Sequence, residues 1–187
     1  MIVNPGSSRL RARTVAIPDP GPLEAFLTPT GSMSFLRHGD GVIGLGEVAR
    51  FTSDTLDAAD IWWTELAQSI ENETEIYDVF GAGPLAVGSF SFDPDHSAEP
   101  SVLVVPEVII GRRGGQSWCT RIAPNTPPEG LPERQSEPES PGELAWSDGA
   151  TPPGVWETMV SEVIALIKDG RADKVVLARD LVATADG

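Results

Sequence analysis

The stretch Asp173-Lys174-Val175-Val176-Leu177-Ala178-Arg179, near the end of this 187-residue chain, decides how the rest is read. Its alternation predicts a β-strand in which Lys174 shares one face with Val176 and Ala178. Lysine is scarce in this chain, and the only other one, Lys168, falls in the polar last turn of a helix expected just upstream. A lysine among apolar neighbours admits two readings. Burial in a low-dielectric site disfavours the ammonium form and suits the residue to act as a general base near neutral pH. A strand-end lysine can equally pack its aliphatic stem and keep its head in water, and on spacing alone this is the commoner arrangement.

Working outward, Trp156, Met159, Val160, Val163, Ile164 and Ile167 recur at helical spacing, and Gly170 follows as a stop before the lysine strand begins. The whole run from Trp156 to Arg179 resembles the helix-then-strand signature of the chorismate-utilising enzymes and, within them, is most similar to isochorismate synthases. Three upstream pieces agree in order: Arg37-His38-Gly39-Asp40-Gly41-Val42-Ile43-Gly44-Leu45-Gly46-Glu47, Gly88-Ser89-Phe90-Ser91-Phe92-Asp93, and Val105-Pro106-Glu107-Val108-Ile109-Ile110-Gly111-Arg112.

The resemblance implies a fold, a reaction and a site. The fold is α+β, an antiparallel two-sheet sandwich with outer helices and the active site between the layers, incomplete in this chain. The reaction is the conversion of chorismate to isochorismate: a lysine deprotonates water that attacks C2, the double bonds shift, and the C4 hydroxyl leaves with help from an acid. Lys174 is the catalytic residue carried over. A lysine at this position implies water rather than ammonia as nucleophile, which leaves isochorismate synthase and salicylate synthase both open, and with them a menaquinone or siderophore destination. Arg179 is a candidate for orientation or ion pairing, beside its plainer reading as a strand-end surface charge. The cofactor implied is Mg2+. Its ligands and the general-acid glutamate are expected beyond residue 187, so the chain reads as the N-terminal half of a longer fold, inactive alone. The alternative is a non-catalytic remnant, or a split half that needs a complementing polypeptide.

Charge and composition narrow the partners. The chain carries 28 acidic against 13 basic residues, for a net charge of −15, with no lysine or arginine between Phe51 and Gly111. Such a surface repels nucleic-acid phosphates and anionic lipid, so neither nucleic acid nor membrane is an expected partner. It also opposes a doubly anionic substrate such as chorismate unless a divalent cation lies between, in agreement with the magnesium that the resemblance implies. Solubility alone is the plainer reading of the same charge. Hydrophobic residues make up 40%, enough for a core, and no apolar run approaches the ~18 residues of a membrane span. Arginines at 9, 11 and 13 lack the apolar run that a secretory signal needs, and a single cysteine, Cys119, excludes an internal disulfide; a cytoplasmic location is expected. Cys119 reads as a small hydrophobe packed in a sheet rather than as a nucleophile.

Strand-like runs are expected over residues 10–17, 34–37, 42–51, 85–92, 102–105, 107–112 and 117–122. A helix over 55–72, with Asp54 as N-cap, carries the stripe Leu56, Ala59, Trp63, Leu66 and Ile70; Trp62 and Trp63 read as core. The glycines of 39–46 lack the phosphate-loop pattern and read as a turn feeding a strand. Eight prolines from Pro124 to Pro153, interleaved with glutamates, interrupt every periodic pattern. The expected organisation is therefore 1–123 as an N-terminal α+β part, 124–153 as a linker or loop, and 154–187 as the start of the catalytic core. An unpaired edge after Arg179 implies self-association through that edge.

Overall fold

The computed structural model describes residues 9–53, 55–93, 96–97 and 99–185, and the chain divides into two units, Met1–Glu137 and Pro138–Gly187. Eleven strands and two α-helices form among the described residues, in three sheets, giving a mixed α+β protein.

In the first unit, period-two alternation builds a six-stranded sheet. Its strands are β1 (Arg11–Ile17), β2 (Ser32–Arg37), β3 (Asp40–Leu45), β5 (Glu71–Thr74), β8 (Val108–Arg113) and β9 (Gln116–Ala123), in the order β2-β3-β8-β9-β1-β5. All neighbours are antiparallel except β1 and β5, which pair in parallel. A second, three-stranded sheet is made of β4 (Ala49–Ser53), β6 (Val87–Ser89) and β7 (Ser101–Val105), in the order β4-β7-β6.

Both faces of the larger sheet are covered. Ala12, Ile109 and Ile122 pack with Ala49, Val105 and the α1 (Leu56–Ser69) residue Leu66, while Ile43, Val108, Ile110 and Cys119 pack on the opposite face with Leu23 and Phe26 of a short 3-10 turn. Successive residues of β8 thus enter different cores, which explains the run of three buried apolar side chains at its start.

One expected strand, 42–51, is two. Gly46 takes φ +67° and donates to Gly31 O, after which the chain leaves the six-stranded sheet as β3 and enters the three-stranded one as β4. β7 and β8 make the reverse transfer at Pro106-Glu107, and the two crossings are tied by Val48 N–H to Val105 O and Glu107 N–H to Leu45 O. Sheets joined by strands that switch layers commonly turn such corners at a glycine or bulge. Apolar periodicity runs through the corner, so it is invisible to the pattern.

The helix stops earlier than expected. Thr55, not Asp54, caps α1 by accepting from Ala58 N–H at 3.3 Å; Asp54 itself lies outside the described residues. α1 ends at Ser69 because Glu71 N–H pairs with Leu10 O and begins β5, with the Glu71 carboxylate 3.2 Å from Arg9 and 3.0 Å from Arg11. Of the run 85–92, only Val87–Ser89 is strand. Trp62 stacks on Phe51 with centroids 5.2 Å apart, and both tryptophans of α1 pack against the core.

The proline-rich segment is two things. Its first part is strapped onto the first unit: Arg13 pairs with Glu129 at 2.8 Å, Arg121 donates to Gly130 O at 2.8 Å, Gln135 N–H donates to Ala25 O at 2.7 Å, and Arg134 lies over the Phe26 ring. Its later part contains a strand, β10 (Leu144–Asp148), of the second unit.

That second unit holds α2 (Pro153–Lys168) and β11 (Leu181–Ala185), which pairs antiparallel with β10. Pro153 supplies the fixed φ that suits a first helical position. Gly170 ends α2 as expected: it takes φ +69°, its N–H donates to Ile167 O and that of Arg171 to Leu166 O, the paired bonds of a Schellman cap. No residue of α2 is buried, and Val155, Met159, Ile164 and Ile167 are exposed.

Candidate functional site

The lysine segment differs from its sequence pattern. Residues 173–180 form no strand; the ladder to β10 begins only at Leu181, opposite Asp148. A strand exists only where a neighbour takes up its N–H and C=O groups, and alternation of side chains does not specify that neighbour. Lys174, Val176 and Ala178, expected to share one strand face, are all exposed, and Lys174 makes no ion pair among the described residues.

The end of this segment is fixed, in contrast to Lys174. Arg179 pairs with the Asp148 carboxylate. Both oxygens of Asp180 accept from Ala150 N–H at 3.1 Å, and a side chain at Gly149 would overlap that carboxylate. Among the described residues, two buried donors have no acceptor: Arg179 Nε and Trp156 Nε1.

A concavity of about 960 Å³ lies in the first unit, on the face of the six-stranded sheet that carries Val42 and Trp118. Cross-strand pairing of Phe35 with Val42, Val42 with Gly111 and Gly111 with Trp118 sets these four residues in a row on one face. Arg37 and Asp40 are the next residues of that face on β2 and β3, and Arg113 on β8, two positions along each strand.

Turn chemistry makes the lip. His38 and Gly39 form the two-residue β2–β3 turn with φ +53° and +82°, the left-handed pair that a tight hairpin requires. Arg112, on the opposite face, ties that turn to a second one, donating from Nε to Gly39 O at 3.0 Å and from Nη1 to Asp19 at 2.8 Å and Gly21 O at 3.2 Å. The Gly21 N–H, 2.9 Å from Asp19, and then Arg112 hold the Asp19 carboxyl below its ordinary pKa.

The opposite wall is the loop between β5 and β6. Trp118 Nε1 donates to Gly81 O at 3.1 Å, and Gly83 N–H donates to the buried Thr120 hydroxyl, itself 2.8 Å from that of Thr14. These bonds pin the loop so that Phe80 stands at the mouth, with the Arg113 guanidinium 5.3 Å from its ring centroid.

None of these cleft residues was singled out from sequence as a site. The signal present was the period-two placement of Phe35 with Arg37 and of Gly111 with Arg113, but only the cross-strand register shows that the pairs meet. Trp63, read as core, also lines the cleft. Cys119 is buried and free, and burial pushes its thiol pKa up, in keeping with its reading as a packed hydrophobe.

Magnesium finds no fit among the described residues, where no three His, Cys, Asp or Glu side chains gather closely enough to hold a metal ion. No helix among them is long and apolar enough to cross a membrane.

The sequence pattern of a known family, the chorismate binding enzymes, matches residues 22–187, which takes in the β2–β3 hairpin, the sheet-switching corner, α2 and the Lys174 segment. The chain belongs to that family. No curated protein and no solved structure matches it.

Proposed function

We propose that the chain acts in the conversion of chorismate to isochorismate, with Lys174 as the base. The neutral amine takes a proton from water, the oxygen bonds to C2, the ring double bonds shift, and the C4 hydroxyl departs with a proton from an acid that no residue of this chain is assigned to supply. Water enters and water leaves, so the net change is an isomerisation. The observation that carries the reading is the family match running through the Lys174 segment. The exposed Lys174 head, free of any carboxylate partner among the described residues, leaves the amine open to water and substrate. A base role near neutral pH needs low-dielectric surroundings around the amine. We infer that a further polypeptide layer covers it in the active form, and that Mg2+ ligands belong to that layer.

The test is chorismate turnover with magnesium, following isochorismate and salicylate, by this chain and by the chain lengthened with whatever its gene encodes after Gly187. Turnover that disappears in Lys174→Ala supports the base assignment; normal turnover in that variant removes it. Salicylate as final product would move the protein to the salicylate-forming branch.

One observation favours a second reading, in which the chain is a binding or complementing half without chemistry of its own. α2 buries none of its residues although Met159, Ile164 and Ile167 are apolar. Absence of turnover in both forms, together with saturable chorismate binding or tight association with a second polypeptide, would establish it.

A further inference from the structure

We propose that the cleft of the first unit is a binding site for planar carboxylates, with Arg37 and Arg113 gripping the carboxylate and Phe35 and Phe80 holding the ring. The inference goes beyond the reading of Lys174 and does not depend on it, since every group it uses lies within residues 35–118.

Three observations carry it. Charge is the first. In a chain of net charge −15, three arginines line one cleft against a single aspartate, Asp40, with His38 the remaining titratable group there. Asp40 is already engaged: one oxygen accepts from Gly114 N–H at 3.2 Å and the other lies 3.7 Å from Arg112 Nε. Arg112 is spent on Gly39, Gly21 and Asp19. Arg37 and Arg113 remain, exposed and without a carboxylate partner among the described residues, although the chain has 28 acidic side chains to offer.

Apolar surface is the second. Phe35 and Phe80 are 80% and 83% exposed beside those guanidiniums, an arrangement that leaves two large rings in water unless something planar lies against them. The third is preparation. The Arg113 guanidinium lies over the Phe80 ring and its N–H groups have no acceptor among the described residues, and a guanidinium edge matches a carboxylate with two parallel hydrogen bonds. The floor beneath, Val42 and Trp118, is fixed by sheet pairing and by the Trp118–Gly81 bond. A fixed apolar floor with a few convergent polar groups is the usual form of a small-molecule site.

The acid could be chorismate, which carries one carboxylate on its cyclohexadiene ring and a second on its enolpyruvyl side chain, or a separate aromatic acid. The first experiment is isothermal titration of the chain with 2-naphthoate and with its neutral analogue 2-naphthylmethanol. Binding of 2-naphthoate at one site is expected, with the alcohol weaker by about tenfold or more, the order of effect of a charge-assisted hydrogen bond. The paired substitution Arg37→Gln with Arg113→Gln should weaken 2-naphthoate by a similar factor without unfolding the chain, because both side chains are exposed; Phe80→Ala should weaken both probes. Lys174→Ala should leave the titration unchanged, which separates this site from the catalytic reading. Equal binding of acid and alcohol, an unchanged affinity in the double arginine variant, or no binding at millimolar 2-naphthoate would each overturn the proposal. With the site in place, competition by chorismate assigns it to that acid, and its absence assigns the site to a separate aromatic acid.

Discussion

The indole of Trp118 occupies the space that a side chain at Gly111 would need: a Cβ there would lie 2.3 Å from both Cε2 and Cζ2 of the ring. The two residues face each other across β8 and β9, so the floor of the cleft depends on glycine at 111. Gly111→Ala should displace the ring, stretch the 3.1 Å bond from Trp118 to Gly81 O, and destabilise the first unit by about 1–3 kcal/mol, the usual cost of overpacking. Urea unfolding followed by tryptophan fluorescence measures it; a variant as stable as the parent would place the indole elsewhere.

Thr14 and Thr120 predict an order of effects. Thr120 serves two partners, Gly83 N–H and the Thr14 hydroxyl, whereas Thr14 exchanges its side-chain bond with Thr120 alone among the described residues. Each buried group left without a partner costs about 1–3 kcal/mol. Thr120→Val should therefore destabilise more than Thr14→Val, and the paired substitution should cost less than the sum of the two. Equal single effects that add fully would show that the hydroxyls do not interact.

Cys119 gives a pH signature. Burial raises its folded-state pKa above that of the unfolded thiol, ordinarily about 8.5, so its contribution to stability is complete below the unfolded value and is lost as pH rises toward the folded one. Cys119→Ala should flatten the fall in stability above about pH 8.5. In the native chain, a thiol reagent should react slowly at pH 8 and quickly once urea unfolds it; fast reaction without denaturant would contradict the burial.

The second unit predicts self-association. Met159, Ile164 and Ile167 of α2 and Leu181 and Val182 of β11 are exposed, and β11 pairs with β10 alone among the described residues. The chain at high micromolar concentration should sediment above its 19.8 kDa monomer, and Ile164→Lys with Val182→Lys should return it to monomer. Monomeric behaviour of the parent would remove the proposed association.

Much of the first unit was legible because its signals are local. Alternation marked β1, β7, β8 and β9, helical spacing marked α1 and α2, and Gly170 marked a helix end through its own backbone freedom. What escaped was set by partners distant in sequence. β5 exists because β1 offers a parallel edge; β3 and β4 separate because two sheets meet at one corner; Lys174 lies outside any strand because no strand among the described residues pairs with its segment. The family signature around Lys174 was likewise readable, since it is a run of adjacent residues. The cleft was not, since Phe35, Phe80 and Arg113 become neighbours only through register and a loop pinned by Thr120.

The pairing of β1 with β9 also has a meaning for synthesis on the ribosome. Thr14 meets a partner 106 residues later, so at about 5–20 residues per second the first strand waits several seconds for its neighbour to emerge. During that interval its apolar residues Ala12, Val15 and Ile17 are open to any passing strand. Arg9, Arg11 and Arg13 interleave with it, and charged side chains on a bare edge discourage unwanted pairing. The arginines that later meet Glu71 and Glu129 thus also guard the nascent chain while the rest of its sheet is being made.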